Sequence, residues 1–198
     1  MNLKYNYWFF KNALASHECS RIIKYGLSQK DQRALTGIEG NTASDKNLRN
    51  SHVSFFSEPW IYKLILPYVQ IANKNSGWNY EWSYTEPIQF TKYKLDQHYD
   101  WHTDSYFEPI NKPQEKTHNQ TRKLSCCVAL NNSSEYTGGE LEIASYSQKG
   151  ELIPMTCEAM KEEGSIVVFP SFVFHRVTPV TKGTRYSLVT WSLGWPFK

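Results

Sequence analysis

The chain has 198 residues, of which 40% are hydrophobic and 21% are charged, and its formal net charge is +3. This length and composition fit one globular domain with a sizeable core. Basic residues are scattered and the net charge is small, so the composition argues against nucleic acid or a membrane surface as a partner.

The cysteines and the apolar runs predict the compartment. The four cysteines at positions 19, 126, 127 and 157 form no CxxC motif, which favours free thiols in a reducing environment. No segment approaches the ~18 consecutive apolar residues of a membrane-spanning helix. The early run YWFF is also shorter than the ~7–15 residues of a signal-peptide core. We therefore expect a cytoplasmic protein.

Two amphipathic helices are predicted early in the chain. The first is SHECSRIIKYGLSQ, with Ser16 as its candidate N-cap and an apolar face formed by Cys19, Ile22, Ile23 and Leu27. The second is EPWIYKLILPYVQIANKN, with Pro59 in its first turn and an apolar face formed by Ile61, Leu64, Ile65 and Tyr68. We expect Pro67 to kink or interrupt this second helix.

From about residue 80 the pattern changes to short strands. The strand-like segments are EPIQFTKYKL, KLSCCVALN, GELEIAS, GSIVVFP, SFVFHRV and TRYSLVTWSLGW. Strands this short and this frequent indicate a closed or double-layered antiparallel sheet, with the two helices packed outside it. Two polar stretches, residues 30–50 and 105–122, read as loops that could close over a site.

The stretch LDQHYDWHTDS contains His-x-Asp twice, as His98 with Asp100 and as His102 with Asp104. In a strand, residues i and i+2 face the same side, so either pair could present an imidazole and a carboxylate together. Two histidines and one carboxylate that leave other positions open form the iron site of non-haem Fe(II) oxygenases. The spacing alone leaves both pairs open, and either pair needs a further ligand.

Three polar residues stand in or beside apolar strands near the end of the chain. His175 follows GSIVVFPSFVF, an apolar segment in which a core histidine would find few hydrogen-bond partners. Arg185 lies ten residues later in the strand TRYSLVTW, and an inward-pointing arginine there needs an anionic partner. Ser187 shares its face. An arginine with a hydroxyl beside it is suited to bind a small carboxylate.

These segments resemble a known family. YKLDQHYDWHTDS, LSCCVALNNSSEYTGGELEI and GSIVVFPSFVFHRVTPVTKGTRYSLVTW look like the prolyl 4-hydroxylase-like branch of the Fe(II)/2-oxoglutarate dioxygenases, and FFKNALASHECSRII resembles the opening helix of that branch. In that branch one tyrosine lies nine residues before the first liganding histidine and another lies three before it. Tyr93, Tyr99 and His102 reproduce this spacing, so the resemblance favours His102 over His98. Asp96 stands where the family usually has glycine.

The resemblance implies a mainly β fold with flanking helices (α+β). It consists of a double-stranded β-helix, or jelly-roll, core over residues 81–198 and N-terminal helical support over residues 1–80, in a single domain of residues 1–198. It also implies a set of site residues. The metal ligands would be His102, Asp104 and His175. Arg185 and Tyr93 would bind 2-oxoglutarate with help from Ser187, and Tyr99 and Trp191 are candidates for the substrate side.

The family's cofactors are Fe(II), 2-oxoglutarate as cosubstrate and O2, with ascorbate as reductant. The implied reaction is oxidative decarboxylation of 2-oxoglutarate to succinate coupled to hydroxylation of a C–H bond, with a prolyl residue of a protein or peptide as the leading substrate. The alternatives are hydroxylation of a free amino acid or another small molecule, and a non-catalytic cupin-like binding module. The oligomeric state stays open.

Overall fold

The computed structural model describes residues 3–34, 45–106 and 108–197. Its helices are α1 (Ser16–Ser28) and α2 (Pro59–Asn75), with short 3-10 turns at Ser133–Glu135 and Glu158–Lys161. The strands are β1 (Trp8–Phe10), β2 (Gln32–Arg33), β3 (Arg49–Asn50), β4 (His52–Phe56), β5 (Tyr84–Thr85), β6 (Ile88–Tyr93), β7 (His98–His102), β8 (Thr121–Ala129), β9 (Tyr136–Gly138), β10 (Leu141–Tyr146), β11 (Leu152–Thr156), β12 (Ile166–Pro170), β13 (His175–Val177), β14 (Val180–Gly183) and β15 (Arg185–Gly194).

Two antiparallel sheets form the body of the fold. The eight-stranded sheet has the order β1-β12-β8-β15-β6-β4-β2, with β5 also paired to β15. The five-stranded sheet has the order β11-β10-β13-β7-β3, and β14 pairs separately with β9. Apart from β10 and β11, the paired strands of these two sheets are not consecutive in the chain, so the chain crosses repeatedly between strands and layers. The prediction of a mainly β, double-layered antiparallel architecture is confirmed.

Apolar side chains form two separate cores. The outer core lies between the helices and one face of the eight-stranded sheet, and its buried members include Ile22, Ile61, Ile65, Phe90, Leu124 and Leu188. The barrel core has buried members from both sheets, including Tyr93, Cys127, Ile143, Val167, Phe169 and Val177. Because strand side chains alternate between faces, β8 contributes Cys126 to the outer core and Cys127 to the barrel core. All four cysteines are free and buried.

The structure corrects two details of α1. Its N-cap is Ala15 rather than the predicted Ser16, and the Glu18 carboxylate accepts a hydrogen bond of 2.8 Å from the Ala15 backbone N–H. An acidic side chain at this position satisfies one of the donors that a helix start leaves free. Leu27, predicted on the apolar face, is 49% exposed, because that face narrows to Cys19, Ile22 and Gly26 at the sheet.

The second helix runs through Pro67 without interruption. Pro67 and Lys63, four residues before it, both lie on the exposed face, where water can bind the carbonyl that proline leaves unpaired. None of the helices in the described residues is long and apolar enough to cross a membrane.

Three strands of the eight-stranded sheet, β1, β2 and β4, come from residues 1–80, where only helical support was expected. β1 pairs with β12 at the sheet edge, and β4 pairs with β6. Strands of three and five residues are too short for their periodicity to be distinguished from a buried helix segment.

Candidate active site

His102, Asp104 and His175 converge across the five-stranded sheet. His102 ends β7, His175 begins β13, and the two residues pair directly. The His102 Nε2 atom lies 3.6 Å from Asp104 Oδ1, and the His175 Nε2 atom lies 3.5 Å from Asp104 Oδ2. One ligand atom from each residue falls within 4.8 Å of the others. We call these three residues the triad.

Hydrogen bonds orient both imidazoles of the triad. The His102 Nδ1 atom lies 2.7 Å from the Asp100 carbonyl, and the His175 Nδ1 atom lies 2.9 Å from the Val173 carbonyl. A carbonyl oxygen only accepts, so each Nδ1 carries the proton and donates it. Each Nε2 therefore presents its lone pair, which is how second-shell carbonyls prepare metal-binding histidines.

The protonation states of the triad suit a divalent cation. Burial opposes the charge on Asp104, but His175 and His102 hold the pKa of its carboxyl well below its usual range. Burial, helped by His102, lowers the pKa of His175 to about 4. Asp104 Oδ2 also accepts a hydrogen bond of 2.7 Å from Ser125. One carboxylate and two imidazoles on one face fit Fe(II) and leave positions for other ligands.

His98 and Asp100 lie outside the triad. Both ring nitrogens of His98 face backbone carbonyls, Nδ1 at 3.2 Å from Asp96 O and Nε2 at 3.0 Å from Asn47 O. Asp100 is exposed, and its carboxylate lies 4.0 Å from Arg176. Within the described residues no third ligand joins this pair. Asp96, which replaces the family's usual glycine, takes a left-handed φ of 61°.

Arg185 forms a buried cationic site in the barrel. It is 3% exposed, pairs with Tyr93 across the sheet, and donates a hydrogen bond of 3.2 Å to Ser187 Oγ. Among the described residues no carboxylate forms an ion pair with it, so a bound anion would supply the missing charge. A Cβ on Gly139 would come within 2.9 Å of the Arg185 side chain, so glycine is needed there.

Tyr93 presents a neutral phenol to this site. Its ring centroid lies 5.4 Å from the Arg185 guanidinium carbon. Burial raises the pKa of the Tyr93 hydroxyl, although Arg49 and Arg185 oppose that rise. A protonated phenol beside a guanidinium is a hydrogen-bond donor for an anion.

A cluster of polar and aromatic groups that sequence reasoning missed lies beside the triad. Arg122 forms a bidentate ion pair with Glu86, and its Nη1 atom donates to the Asp104 carbonyl at 3.4 Å. The same guanidinium stacks 3.8 Å above Trp191 and 4.8 Å from Tyr106. Neither Arg122 nor Glu86 carries a local sequence signal, because Arg122 lies in a polar stretch just before one predicted strand and Glu86 opens another.

Trp191 and Tyr99, the predicted substrate-side residues, occupy different positions. Trp191 is 6% exposed, and its Nε1 atom is buried without a partner in the described part of the chain. Tyr99 stacks directly on the His102 ring, with centroids 3.4 Å apart and planes 10° from parallel. The structure therefore places Tyr99 against a triad residue and Trp191 beneath Arg122.

A family model described as the 2OG-Fe(II) oxygenase superfamily matches residues 88–193. This segment is more than half of the chain, and it contains the triad and Arg185. The chain belongs to the 2OG-Fe(II) oxygenase superfamily. The cofactors implied by this membership are Fe(II), 2-oxoglutarate and O2, and the donor set of the triad fits the metal.

Comparisons with individual proteins agree with this membership. The chain is 32% identical over 109 residues to a PKHD-type hydroxylase of Xylella fastidiosa (strain M23), covering 54% of this chain and 44% of that relative. The match thus spans less than half of the relative's length.

Solved structures share the fold at low identity. A viral collagen prolyl hydroxylase of Paramecium Bursaria Chlorella virus-1, in complex with 2OG, aligns with a TM-score of 0.63 and 16% identity, covering 96% of this chain and 97% of that one. A Trichoplax adhaerens prolyl hydroxylase, in complex with a hypoxia inducible factor peptide fragment, aligns with a TM-score of 0.59 and 15% identity, covering 96% and 84%. The jelly-roll fold and the resemblance to the prolyl 4-hydroxylase-like branch are confirmed.

Proposed function

We propose that this protein is an Fe(II)- and 2-oxoglutarate-dependent hydroxylase that acts on a prolyl residue of a protein or peptide. The reaction converts 2-oxoglutarate, O2 and R–H into succinate, CO2 and R–OH. The observation that carries the proposal is the convergence of two oriented imidazoles and one carboxylate in a barrel that also holds Arg185, for which the described residues supply no anionic partner.

The triad residues His102, Asp104 and His175 would hold the metal through Nε2 and carboxylate oxygens. Bound Fe(II) supplies the activation of O2 and the oxidation of the C–H bond. The carbonyls of Asp100 and Val173 accept hydrogen bonds from the two Nδ1 atoms, which directs each Nε2 toward the metal position, and the surrounding triad keeps Asp104 ionised. Ser125 fixes the Asp104 carboxylate through its hydrogen bond of 2.7 Å, so the protein presents the three donors in one arrangement before any ligand binds.

Arg185 would bind the distal carboxylate of 2-oxoglutarate, with Tyr93 and Ser187 beside it. A guanidinium can donate two parallel hydrogen bonds to a carboxylate, and burial strengthens them because water does not compete. A buried carboxylate partner would also relieve the cost of the unpaired charge on Arg185.

The cluster around Arg122 would contact the substrate. Trp191 is 6% exposed and lies beneath the Arg122 guanidinium, so it would act on the substrate side by holding Arg122 in place rather than by direct contact. The peptide held by the Trichoplax structure supports an open peptide site in this fold. The predicted loop of residues 105–122, whose last two residues belong to β8, would close over the substrate with the part that precedes β8. The stretch of residues 30–50 was the other predicted loop, but its ends form the strands β2 and β3, and its residues 35–44 lie outside the described residues.

We place the protein in the cytoplasm, and four buried free cysteines support a reducing compartment. We also expect ascorbate to sustain turnover as a reductant in assays.

The test is succinate formation by the purified protein with Fe(II), ascorbate and 2-oxoglutarate, with and without prolyl peptides or free amino acids. We expect peptide-stimulated succinate and a peptide that gains one oxygen atom by mass spectrometry. His175→Ala should lose both, whereas His17→Ala, on an exposed helix face, should match wild type. A wild-type protein that binds metal and 2-oxoglutarate but makes no more succinate than His175→Ala would support the non-catalytic binding module. Stimulation by free amino acids alone would identify a small-molecule hydroxylase.

A further inference from the structure

A β-bulge in β7 lies directly before the first triad residue. His102 pairs with His175 and Tyr99 pairs with Val177, so three steps along β7 face two steps along β13. In a regular strand, residues three apart point to opposite faces. The extra residue brings Tyr99 and His102 to the same side, as bulges near active sites commonly re-aim side chains.

The ring of Tyr99 covers the ring of His102. The two centroids lie 3.4 Å apart and the planes differ by 10°, so the rings overlap face to face. The His102 ring also lies 4.2 Å from that of His175, at an angle of 54°. Tyr99 therefore restricts rotation of the His102 imidazole about the bond that joins it to the chain.

Arg49 covers Tyr99 in turn. Its guanidinium carbon lies 4.4 Å from the Tyr99 ring centroid, within the range of cation–π contacts. Arg49 is held by hydrogen bonds to Ser51 Oγ at 3.2 Å and to Gln89 Oε1 at 3.1 Å. Guanidinium, phenol and imidazole thus form a three-layered stack that ends on a triad residue.

The backbone beside Arg49 supports the other contact that orients His102. Residues Arg49 and Asn50 pair with Tyr99 and His98, which adds β3 to the edge of β7. One residue earlier, the Leu48 carbonyl accepts a hydrogen bond of 2.8 Å from the Asp100 backbone N–H. The Asp100 carbonyl oxygen in turn accepts a hydrogen bond from His102 Nδ1. Residues 48–50 therefore hold two groups in place. One is the Tyr99 ring, which covers His102, and the other is the Asp100 peptide, whose carbonyl fixes the tautomer of His102.

We propose that Tyr99 and Arg49 are positioning residues for His102, and that residues 48–50 thereby control the metal affinity of the triad. A ligand whose orientation is fixed in advance loses less conformational freedom when it binds a metal. This inference rests on the proposed function only in requiring that the triad binds a divalent metal. It assigns Tyr99 a role in the metal site instead of the predicted role on the substrate side.

The experiment is a titration of metal-free protein with Co(II), followed by visible absorbance and calorimetry in the absence of 2-oxoglutarate. Second-shell partners of metal ligands are worth roughly 10- to 100-fold in affinity, so we expect Tyr99→Leu to weaken Co(II) binding at least about tenfold. Tyr99→Phe keeps the ring and should stay within about twofold of wild type. Arg49→Met should weaken binding in the same direction by a smaller factor and change the absorbance spectrum of bound Co(II).

Matched controls remove similar contacts on the helical side. Tyr25 contacts Phe56 edge-to-face at 5.0 Å, and Arg21 lies 4.0 Å above Trp60. Tyr25→Leu and Arg21→Met should reduce thermal stability and leave the Kd for Co(II) unchanged.

Two results would overturn the inference. One is a Tyr99→Leu protein that binds Co(II) as tightly as wild type, and the other is an equal loss of affinity in the helical-side controls. If Tyr99→Leu does not fold, Arg49→Met decides the question by the same comparison. A wild-type protein that binds Co(II) with the expected differences among variants but makes no succinate would support this inference and contradict the proposed function alone.

Discussion

β7 and the two residues after it carry the same short motif twice, and only one copy lies in the metal site. His102 faces His175 of β13, so a second imidazole lies within reach of its carboxylate partner. His98 faces Asn50 of the short strand β3, which brings no further ligand among the described residues. The comparison shows that a His-x-Asp pair becomes a metal site through what the neighbouring strand places opposite it.

The two histidines also differ in the atoms they leave free. His98 faces carbonyl oxygens with both ring nitrogens, whereas His102 uses only Nδ1 and leaves Nε2 open toward Asp104. A metal could reach His98 only by displacing one of these contacts. The two His-x-Asp pairs therefore have the same spacing in sequence but differ in whether a histidine nitrogen is free to bind a metal.

Alanine substitution of each histidine should give the largest difference in activity between the two His-x-Asp pairs. We expect His102→Ala to reduce 2-oxoglutarate turnover by more than the roughly 100-fold that loss of a second-shell partner costs, because it removes a metal ligand. His98→Ala should retain a substantial part of the activity. Succinate formation under saturating Fe(II) measures both, and a reversed order would assign the metal to the other pair.

A smaller effect distinguishes two arginines, Arg185 in the barrel beside Tyr93 and Arg176 beside the Asp100 of the other His-x-Asp pair. Arg185→Met should raise the KM for 2-oxoglutarate, since a hydrogen-bonded charge contributes about 1.5–3 kcal/mol, or about 10- to 150-fold. Arg176, which lies beside Asp100 and pairs with Glu142, provides the control. Arg176→Met should leave that KM within about twofold of wild type. Equal KM values in the two variants would remove Arg185 from the cosubstrate site.

The smallest effect concerns Ser187, which accepts a hydrogen bond from Arg185. Ser187→Ala should raise the KM for 2-oxoglutarate about 2- to 10-fold, because a neutral hydrogen bond contributes about 0.5–1.5 kcal/mol. The KM for a peptide substrate should stay unchanged, so steady-state kinetics with each substrate varied in turn measures the selectivity. An increase confined to the peptide KM would place Ser187 on the substrate side.

Much of the barrel could be predicted from sequence because short runs rich in β-branched and aromatic residues recur between turn residues from about residue 80 onward. His175 and Arg185 were visible against these runs, as polar residues inside apolar strands. β1 and β4 were not, because neither is long enough to show a period. Arg49, Glu86 and Arg122 carry no local signal either. Their positions depend on which strands become neighbours, and the hydrophobic pattern of a single strand does not specify its partner.

The contribution of Tyr99 could be predicted only in part. Its spacing to His102 was apparent, but residues three apart in a regular strand face opposite sides, so the stack depends on the bulge opposite Val177. No residue in HYDWH marks that bulge, and it is visible only once β7 is paired with β13.

Co(II) binding by the two aspartate variants tests the central claim most directly. Asp100 contacts His102 through its carbonyl, so Asp100→Ala keeps that hydrogen bond, whereas Asp104→Ala removes a metal ligand. Equilibrium dialysis should find one Co(II) per chain for wild type and Asp100→Ala, and no saturable binding for folded Asp104→Ala. Stoichiometric binding by Asp104→Ala together with its loss in Asp100→Ala would contradict the account.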